Sequence, residues 1–172
     1  MNKEGFYIIF IAEMGRGKTT YIRRLVEGNK KKRLVADVRR EYPITYGRRY
    51  VESMEDYKDF MWEAEHTTNA NIIIEEGTAF FNGYNEIDLL RFTTGIRHNR
   101  CIGYFAFHAI RKTPQTLVDL ARYIVLFETG ESLKNIAKRD ERFVPWMKKL
   151  RKDGKRSIVI DKRDKTRWRE QE

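Results

Sequence analysis

The sequence predicts an α/β fold in which a mostly parallel sheet is flanked by helices. The first observation is that short apolar, β-branched runs alternate along the chain with amphipathic segments of helical spacing. The second is that the runs are apolar enough to fit strands covered on both faces. The third is a glycine-rich turn between the first run and the first helical segment. Because parallel strands need crossover connections, this alternation favours a parallel sheet with right-handed crossovers.

The predicted elements follow one another in a regular order as far as Thr129. The strands are expected at residues 6–12, 33–37, 71–76, 101–107, 123–127 and 157–161, and the helices at residues 18–27, 53–65, 86–96 and 114–120. Ser53 is expected to cap the second helix, with Asp56 three residues later. After Thr129 come a polar helical stretch, one more helix behind Pro145, the last strand and a charged end.

Length and composition favour one intracellular domain. The 172 residues suffice for one hydrophobic core and are few for two, so we expect a single domain over residues 1–172. The one cysteine, Cys101, and the unpaired spacing of the histidines indicate neither a disulfide framework nor a zinc site. The apolar run 6–12 is well below the roughly 20 residues that span a bilayer. We therefore expect no membrane span or secretory signal and a reducing, cytoplasmic setting.

Positive charge is concentrated near the carboxyl end of the chain. The formal net charge is +10, and the basic segment 132–172 holds fifteen Lys or Arg against seven Asp or Glu. A block of like charge is typical either of a surface that faces a polyanion or of a solvated tail. Composition is therefore compatible with nucleic-acid binding without requiring it.

The turn after the first strand matches the Walker A pattern over residues 12–19. Gly15 and Gly17 allow consecutive backbone N–H groups to curl round a β-phosphate, and the following helix points its positive end at the same anion. Lys18 is expected to reach the β- and γ-phosphate oxygens of ATP, and the Thr19 hydroxyl to bind Mg²⁺. The residues expected to contact the nucleotide are Ala12, which stands where glycine is more common, and Glu13, Met14, Gly15, Arg16, Gly17, Lys18, Thr19 and Thr20.

An acidic pair ends the third predicted strand. Glu75 is expected to hold Mg²⁺ through its hydration shell, and Glu76 to polarise the attacking water as general base. The alternative is an exposed acidic pair with no role in a site. If the pair does act, the second carboxylate favours hydrolysis over transfer of the phosphoryl group to another substrate.

With both motifs placed, the chain resembles the FtsK–HerA branch of P-loop ATPases, particularly the small genome-packaging ATPases of viruses. The stretch "LVADVRREYP" is similar to that branch's second strand, with Asp37 followed by Glu41 and Tyr42. The stretches "GIRHNRCIGYFAFH" and "TPQTLVDLARYIVLF" resemble its arginine–histidine turn, its sensor strand and the segment after the sensor. The resemblance covers about residues 5–130 and implies a P-loop NTPase fold of the additional-strand, catalytic-glutamate type.

Three further site residues are implied by this resemblance. His108 stands at the sensor position, where the family usually has glutamine, and histidine can donate one hydrogen bond to a γ-phosphate oxygen. Its alternative role is a structural hydrogen bond. Arg97 and Arg100 lie in the turn from which an arginine in related rings reaches a neighbour's nucleotide, with Arg97 preferred. The alternative is that both arginines are solvated or face DNA.

The resemblance implies an ATP- and Mg²⁺-dependent motor that moves double-stranded DNA without reading its sequence. Such a motor works as a homo-oligomeric ring in the host cytoplasm or on the virion, with portal or capsid proteins as further partners. The alternatives are a phage assembly ATPase of the zonula-occludens-toxin type, which usually continues into a membrane segment, a small nucleotide kinase, or a non-enzymatic basic nucleic-acid-binding module. The basic groups that would face DNA phosphates are residues 30–33, 39–40, 48–49 and 148–156.

Overall fold

A computed structural model describes residues 4–81, 84–163 and 168–170. The described residues form one sheet with the strand order β3-β2-β4-β5-β1-β6-β7-β8. Neighbouring strands are parallel from β3 to β6 in this order. Strand β7 pairs antiparallel with β6, and β8 pairs antiparallel with β7. The strands are β1 (Phe6–Ile11), β2 (Lys32–Asp37), β3 (Arg48–Tyr50), β4 (Ala70–Ile74), β5 (Ile102–Phe107), β6 (Tyr123–Phe127), β7 (Ser157–Asp161) and β8 (Arg169–Glu170). The predicted mostly parallel α/β sheet is confirmed.

Strand β5 lies between the strand that leads to the glycine-rich turn and the strand that leads to the acidic pair. It pairs with β1 in the register Phe6↔Ile102 and with β4 in the register Asn71↔Ile102. This inserted strand is the feature expected of the additional-strand type of P-loop NTPase. Since all three strands are parallel, their carboxyl ends meet at one edge of the sheet. We call this edge the carboxyl edge.

Helices cover both faces of the sheet, but unequally. Helix α1 packs through Ile22 and Val26 against Phe10 and its neighbours on one face. The other face is covered by the remaining helices, whose apolar side chains join one large core cluster. The helices are α1 (Lys18–Glu27), α2 (Met54–His66), α3 (Gly77–Phe80), α4 (Glu86–His98), α5 (Gln115–Leu120), α6 (Leu133–Asp140) and α7 (Val144–Asp153). The predicted cap of α2 is present as a capping box between Ser53 and Asp56.

The structure differs from the sequence-based expectation in its shortest elements. Strand β4 ends at Ile74, so Glu75 and Glu76 follow the strand instead of closing it. Strands β3 and β8 and helix α3 were not expected, because two to four residues are too few to show periodicity. Both short strands also carry charged side chains, which are common at sheet edges.

Candidate nucleotide site

The glycine-rich turn has the geometry that an anion-binding loop needs. Gly15 and Gly17 have φ angles of 76° and 89°, a region that residues with a side chain rarely occupy. Helix α1 begins directly after Gly17, at Lys18. Consecutive backbone N–H groups and the positive end of α1 therefore face the same space. Residues 12–19 are called the phosphate loop below.

Lys18 is folded back over the phosphate loop. Its Nζ donates hydrogen bonds to the carbonyl oxygens of Ala12 and Glu13, at 2.6 and 3.1 Å, and lies 3.5 Å from His108 Nδ1. The residue is only 7% exposed. Burial lowers the pKa of Lys18, while the charges of Glu75 and Glu76 oppose that shift. The ammonium group is thus centred in the loop, where phosphate oxygens can replace its carbonyl partners.

Thr19 and two carboxylates form a cluster of oxygen atoms beside the loop. Thr19 Oγ1 lies 3.0 Å from Glu41 Oε2 and 3.3 Å from Glu75 Oε2. Glu75 is 8% exposed and accepts a short hydrogen bond from the Tyr42 hydroxyl. Burial raises the pKa of Glu75 to about 7, and the charge of Glu41 adds to this shift. Glu41 and Tyr42 were expected from the family pattern, but without a role in the site.

This oxygen cluster fits the ligand preferences of Mg²⁺. Within the described ranges, no group of three or more His, Cys, Asp or Glu residues is placed to hold a metal ion. Mg²⁺ does not need such a cage, because it usually takes one or two protein oxygens together with waters and substrate phosphates. Thr19 and Glu75 are able to supply those protein oxygens, and Glu41 adds a carboxylate at the same hydroxyl.

Asp37, at the end of β2, organises the segment that carries Glu41 and Tyr42. Its carboxylate is fully buried and accepts the backbone N–H groups of Glu41 at 3.0 Å and Tyr42 at 2.9 Å. These two hydrogen bonds hold the chain in the turn that follows β2. The spacing of Asp37, Glu41 and Tyr42 therefore has a structural cause, since the aspartate positions the two groups that contact Thr19 and Glu75.

Glu76 is held between two basic side chains. Its Oε2 lies 2.6 Å from His108 Nε2, and its Oε1 lies 3.2 Å from Arg39 Nε. If the carboxylate is ionised, it only accepts hydrogen bonds, so Nε2 of a neutral His108 carries the proton. Nδ1 is then left as an acceptor toward Lys18. Glu76, His108 and Lys18 thus form one chain of contacts, and Arg39 is a site residue that no sequence motif indicated.

The cleft at the carboxyl edge has a volume of about 480 Å³. The phosphate loop and α1 form one wall, and the ends of β2, β4 and β5 form the other. It is lined by Met14, Gly15, Gly17, Lys18, Thr19, Thr20, Arg23, Asp37, Arg39, Glu41, Glu75, Glu76 and His108. Six of the nine predicted loop residues, the acidic pair and His108 are therefore brought together in one cleft, whereas Ala12, Glu13 and Arg16 are not among its lining residues.

The segment after β6 connects this cleft to α7. The Gly130 N–H donates to the Glu13 carboxylate of the phosphate loop at 2.6 Å. The Glu131 carboxylate accepts the backbone N–H of Ile110 at 2.8 Å, just beyond His108. Arg151 of α7 donates to the carbonyl oxygens of residues 129 and 131, both at 2.8 Å. Residues 129–131 therefore contact the phosphate loop, the turn after His108 and the basic segment.

Arg97 and Arg100 lie far from the cleft of their own chain. Arg97 is in the last turn of α4, its carbonyl accepts the Gly5 N–H, and its side chain pairs with Glu4 at 3.2 Å. Arg100 lies three residues further along the chain, in the connection between α4 and β5. Both are at the amino ends of β1 and β5, and a six-residue strand is roughly 20 Å long. Neither arginine therefore contacts the phosphate loop of the same chain.

Many residues of the expected DNA-facing groups have partners within the chain. Arg49 pairs with Glu63 at 2.8 Å, and Lys149 and Lys155 pair with Glu170. Two further side chains donate hydrogen bonds to carbonyl oxygens, Lys31 to that of Arg100 and Arg48 to that of Tyr42. Two guanidinium groups lie over aromatic rings, Arg33 over Tyr46 and Arg40 over Tyr50. By contrast, Lys148 and Lys152 are exposed one helical turn apart on α7 and have no ion pair among the described residues.

Comparison with known proteins finds similar structures, but no matching family model and no matching curated sequence. The DNA-packaging ATPase B204 from Sulfolobus turreted icosahedral virus is similar in fold, with a TM-score of 0.75 and 14% identity over 99% of this chain and 98% of that one. The genome-packaging NTPase B204 of Sulfolobus turreted icosahedral virus 2, solved with AMPPCP, also has a TM-score of 0.75, with 14% identity over 100% of this chain and 99% of that one.

A second kind of neighbour is more distant. The N-terminal domain of zonular occludens toxin from Neisseria meningitidis has a TM-score of 0.55 and 14% identity, over 74% of this chain and 78% of that one. Both resemblances noted in the sequence are thus found among solved structures, and the fold is that of a P-loop NTPase. None of the helices among the described residues is long and apolar enough to cross a membrane.

Proposed function

We propose that the chain is an ATP-hydrolysing motor subunit that moves double-stranded DNA, as in the packaging of a viral genome. The observation that carries the ATPase half is the position of Glu76. This carboxylate stands in the same cleft as Lys18 and is oriented by His108 and Arg39, which come from the ends of two other strands. Such a carboxylate is placed as a general base next to the phosphates that the loop is built to hold.

The proposed reaction assigns one task to each group. Lys18 and the loop N–H groups bind the β- and γ-phosphates of ATP. Glu76 takes a proton from a water molecule as the water oxygen attacks the γ-phosphorus, and the bond to the β-phosphate oxygen breaks to release ADP and phosphate. Mg²⁺, when bound by Thr19 and Glu75, would neutralise charge on the phosphate oxygens. His108 orients Glu76 and stands where it can also face the γ-phosphate.

The DNA half of the proposal rests on structural similarity and charge. The fold matches a DNA-packaging ATPase over nearly the full length of both chains, whereas the match to the zonular occludens toxin domain covers about three quarters of each. The chain is also strongly basic, with a net charge of +10. Lys148 and Lys152 lie on one exposed face of α7, where they can meet phosphates without giving up an ion pair among the described residues.

The deciding experiment measures the ATPase rate with and without double-stranded DNA of unrelated sequences, at two salt concentrations. We expect hydrolysis that DNA stimulates independently of its sequence, and a stimulation that high salt weakens. Hydrolysis without any response to DNA would favour the assembly-ATPase alternative. Transfer of phosphate to a nucleoside monophosphate, with little release to water, would identify a nucleotide kinase.

A further inference from the structure

Arg156, in the short connection between α7 and β7, lies directly against the phosphate loop. Its Nη2 is 3.5 Å from the carbonyl oxygen of Arg16. A β-carbon built on Gly17 would lie only 2.1 Å from the same nitrogen. The guanidinium group therefore occupies the space that any side chain at position 17 would take. The φ angle of 89° favours glycine there, whereas the guanidinium group is the end of a flexible side chain and can move aside from a β-carbon.

Positive charge lies close to Arg156, and the one acidic side chain of the phosphate loop, Glu13, is already engaged with the Gly130 N–H. The positive end of α1 begins beside it, and Arg16 and Lys18 belong to the same loop. Within the described residues Arg156 has no ion pair, and the Arg16 carbonyl is at the outer limit of hydrogen-bond length. A cation at a helix amino terminus is disfavoured, because both are positive, unless an anion binds to the cation and to the helix end together. The position therefore suits an anionic ligand in the loop.

The order of the strands indicates which part of a nucleotide Arg156 would meet. Glu76 and His108 follow β4 and β5, on one side of β1, whereas Arg156 precedes β7, on the other side. Since Glu76 and His108 mark the γ-phosphate side of the phosphate loop, the opposite end of the triphosphate points toward β6 and β7. The phosphate nearest Arg156 is then the α-phosphate.

We propose that Arg156 binds the α-phosphate of the nucleotide held by the phosphate loop of the same chain. This assignment rests on the proposed nucleotide site, and it removes Arg156 from the residues expected to face DNA. It also places one residue of the basic segment in direct contact with the nucleotide. Nucleotide occupancy would thereby change the contacts of the connection between α7 and β7.

The test compares wild type, R156A and R156K, with K134A as a matched control in which an exposed lysine of α6 is removed. Equilibrium affinity is measured without DNA for ATP and for the two diastereomers of ATP that carry sulfur in place of an α-phosphate oxygen. We expect R156A to weaken ATP binding by about tenfold, as removal of a charged hydrogen bond does. K134A should bind like wild type, and R156K should lie between the two.

The sulfur analogues separate ligand contact from support of the loop. In wild type, one diastereomer should bind more weakly than ATP because sulfur is a poor acceptor, and R156A should abolish this difference. A uniform weakening of all three ligands, with the difference retained, would show that Arg156 only supports the loop and would overturn the assignment. Unchanged ATP affinity in R156A would also overturn it. Failure of the wild-type chain to bind any nucleotide would instead refute the proposed function.

Discussion

His108 and Glu76 are hydrogen bonded across the ends of two strands, with Nε2 of the histidine 2.6 Å from Oε2 of the carboxylate. The second carboxylate oxygen is held by Arg39, which follows a third strand. Nδ1 of the same histidine faces Lys18 in the phosphate loop. The carboxylate proposed as the base is thus restrained by groups from β2 and β5, and its position depends on the sheet as a whole.

Glu76→Gln should separate nucleotide binding from hydrolysis. Glutamine preserves the size and polarity of the side chain but cannot take a proton from water, so ATP should still bind. The turnover rate should fall by about 10²- to 10⁴-fold, the usual contribution of a general base. Equilibrium ATP binding and single-turnover hydrolysis test the two parts separately. Near-normal hydrolysis in this variant would show that another group accepts the proton.

His108→Gln should be milder than His108→Ala. An amide at this position can still donate a hydrogen bond to the Glu76 carboxylate, as Nε2 of histidine does. Alanine removes that donor from a charged acceptor, which weakens hydrolysis by about 10- to 100-fold. The turnover rates of both variants at saturating ATP provide the measurement. Equal reductions in the two variants would mean that the ring, and not its hydrogen bond, matters.

Much of the candidate site could be predicted because strand ends are visible in the sequence. The phosphate loop, Glu75, Glu76 and His108 each follow a long apolar run, and parallel strands bring such positions to one edge. The fold class followed from the same runs.

The residues that were missed reach the site from segments without a periodic pattern. Arg39 and Arg156 lie in irregular connections, and neither belongs to a spacing that identifies a phosphate contact. Glu131 accepts two backbone N–H groups just after His108, and this contact depends on how the connections after β5 and β6 fold together. Glu41 was visible only through its family pattern. Such contacts are set by tertiary packing and not by local preference.

Glu75 should make the free energy of unfolding fall as pH rises. Its pKa is raised from 4.5 to about 7 in the folded chain, mainly by burial. The folded state therefore retains a proton that the unfolded state loses, so the destabilisation begins near pH 4.5, grows up to about pH 7 and is constant above that. The full effect is about 3 kcal/mol. Chemical denaturation of wild type and Glu75→Gln between pH 5 and 8 measures it, and parallel curves for the two proteins would contradict it.

Neutralising Lys148 and Lys152 should weaken DNA binding more than neutralising Lys149 and Lys155. The first pair is exposed on one face of α7, whereas both lysines of the second pair contact the Glu170 carboxylate. For every DNA phosphate that a variant no longer binds, the slope of log affinity against log salt should become shallower by roughly 0.9. The two double alanine variants carry the same change in charge and serve as mutual controls. Equal slopes for both would assign the effect to net charge alone.

Hydrolysis should require an arginine from a neighbouring subunit, with Arg97 as the first choice and Arg100 as the second. Both lie at the end of the sheet opposite the phosphate loop, so neither can neutralise the γ-phosphoryl group of its own chain. Arg97 is half exposed, and its ion pair with the more exposed Glu4 is of a kind worth little in water. Arg97 can therefore exchange that partner for a phosphate across an interface, where an arginine finger supplies roughly 10³- to 10⁵-fold in rate.

Mixing experiments test this requirement. Arg97→Ala subunits retain an intact phosphate loop, and Lys18→Ala subunits retain the finger, so each preparation alone should be inactive. Mixed assemblies should recover activity at interfaces that pair an intact loop with an intact arginine. Glu4→Ala is the matched control, because it removes the ion-pair partner of Arg97 while leaving the arginine in place, and it should remain active. If Arg97→Ala alone hydrolyses ATP normally, or if mixed assemblies form and stay inactive, Arg97 does not act across the interface, and Arg100→Ala should be tested in the same way.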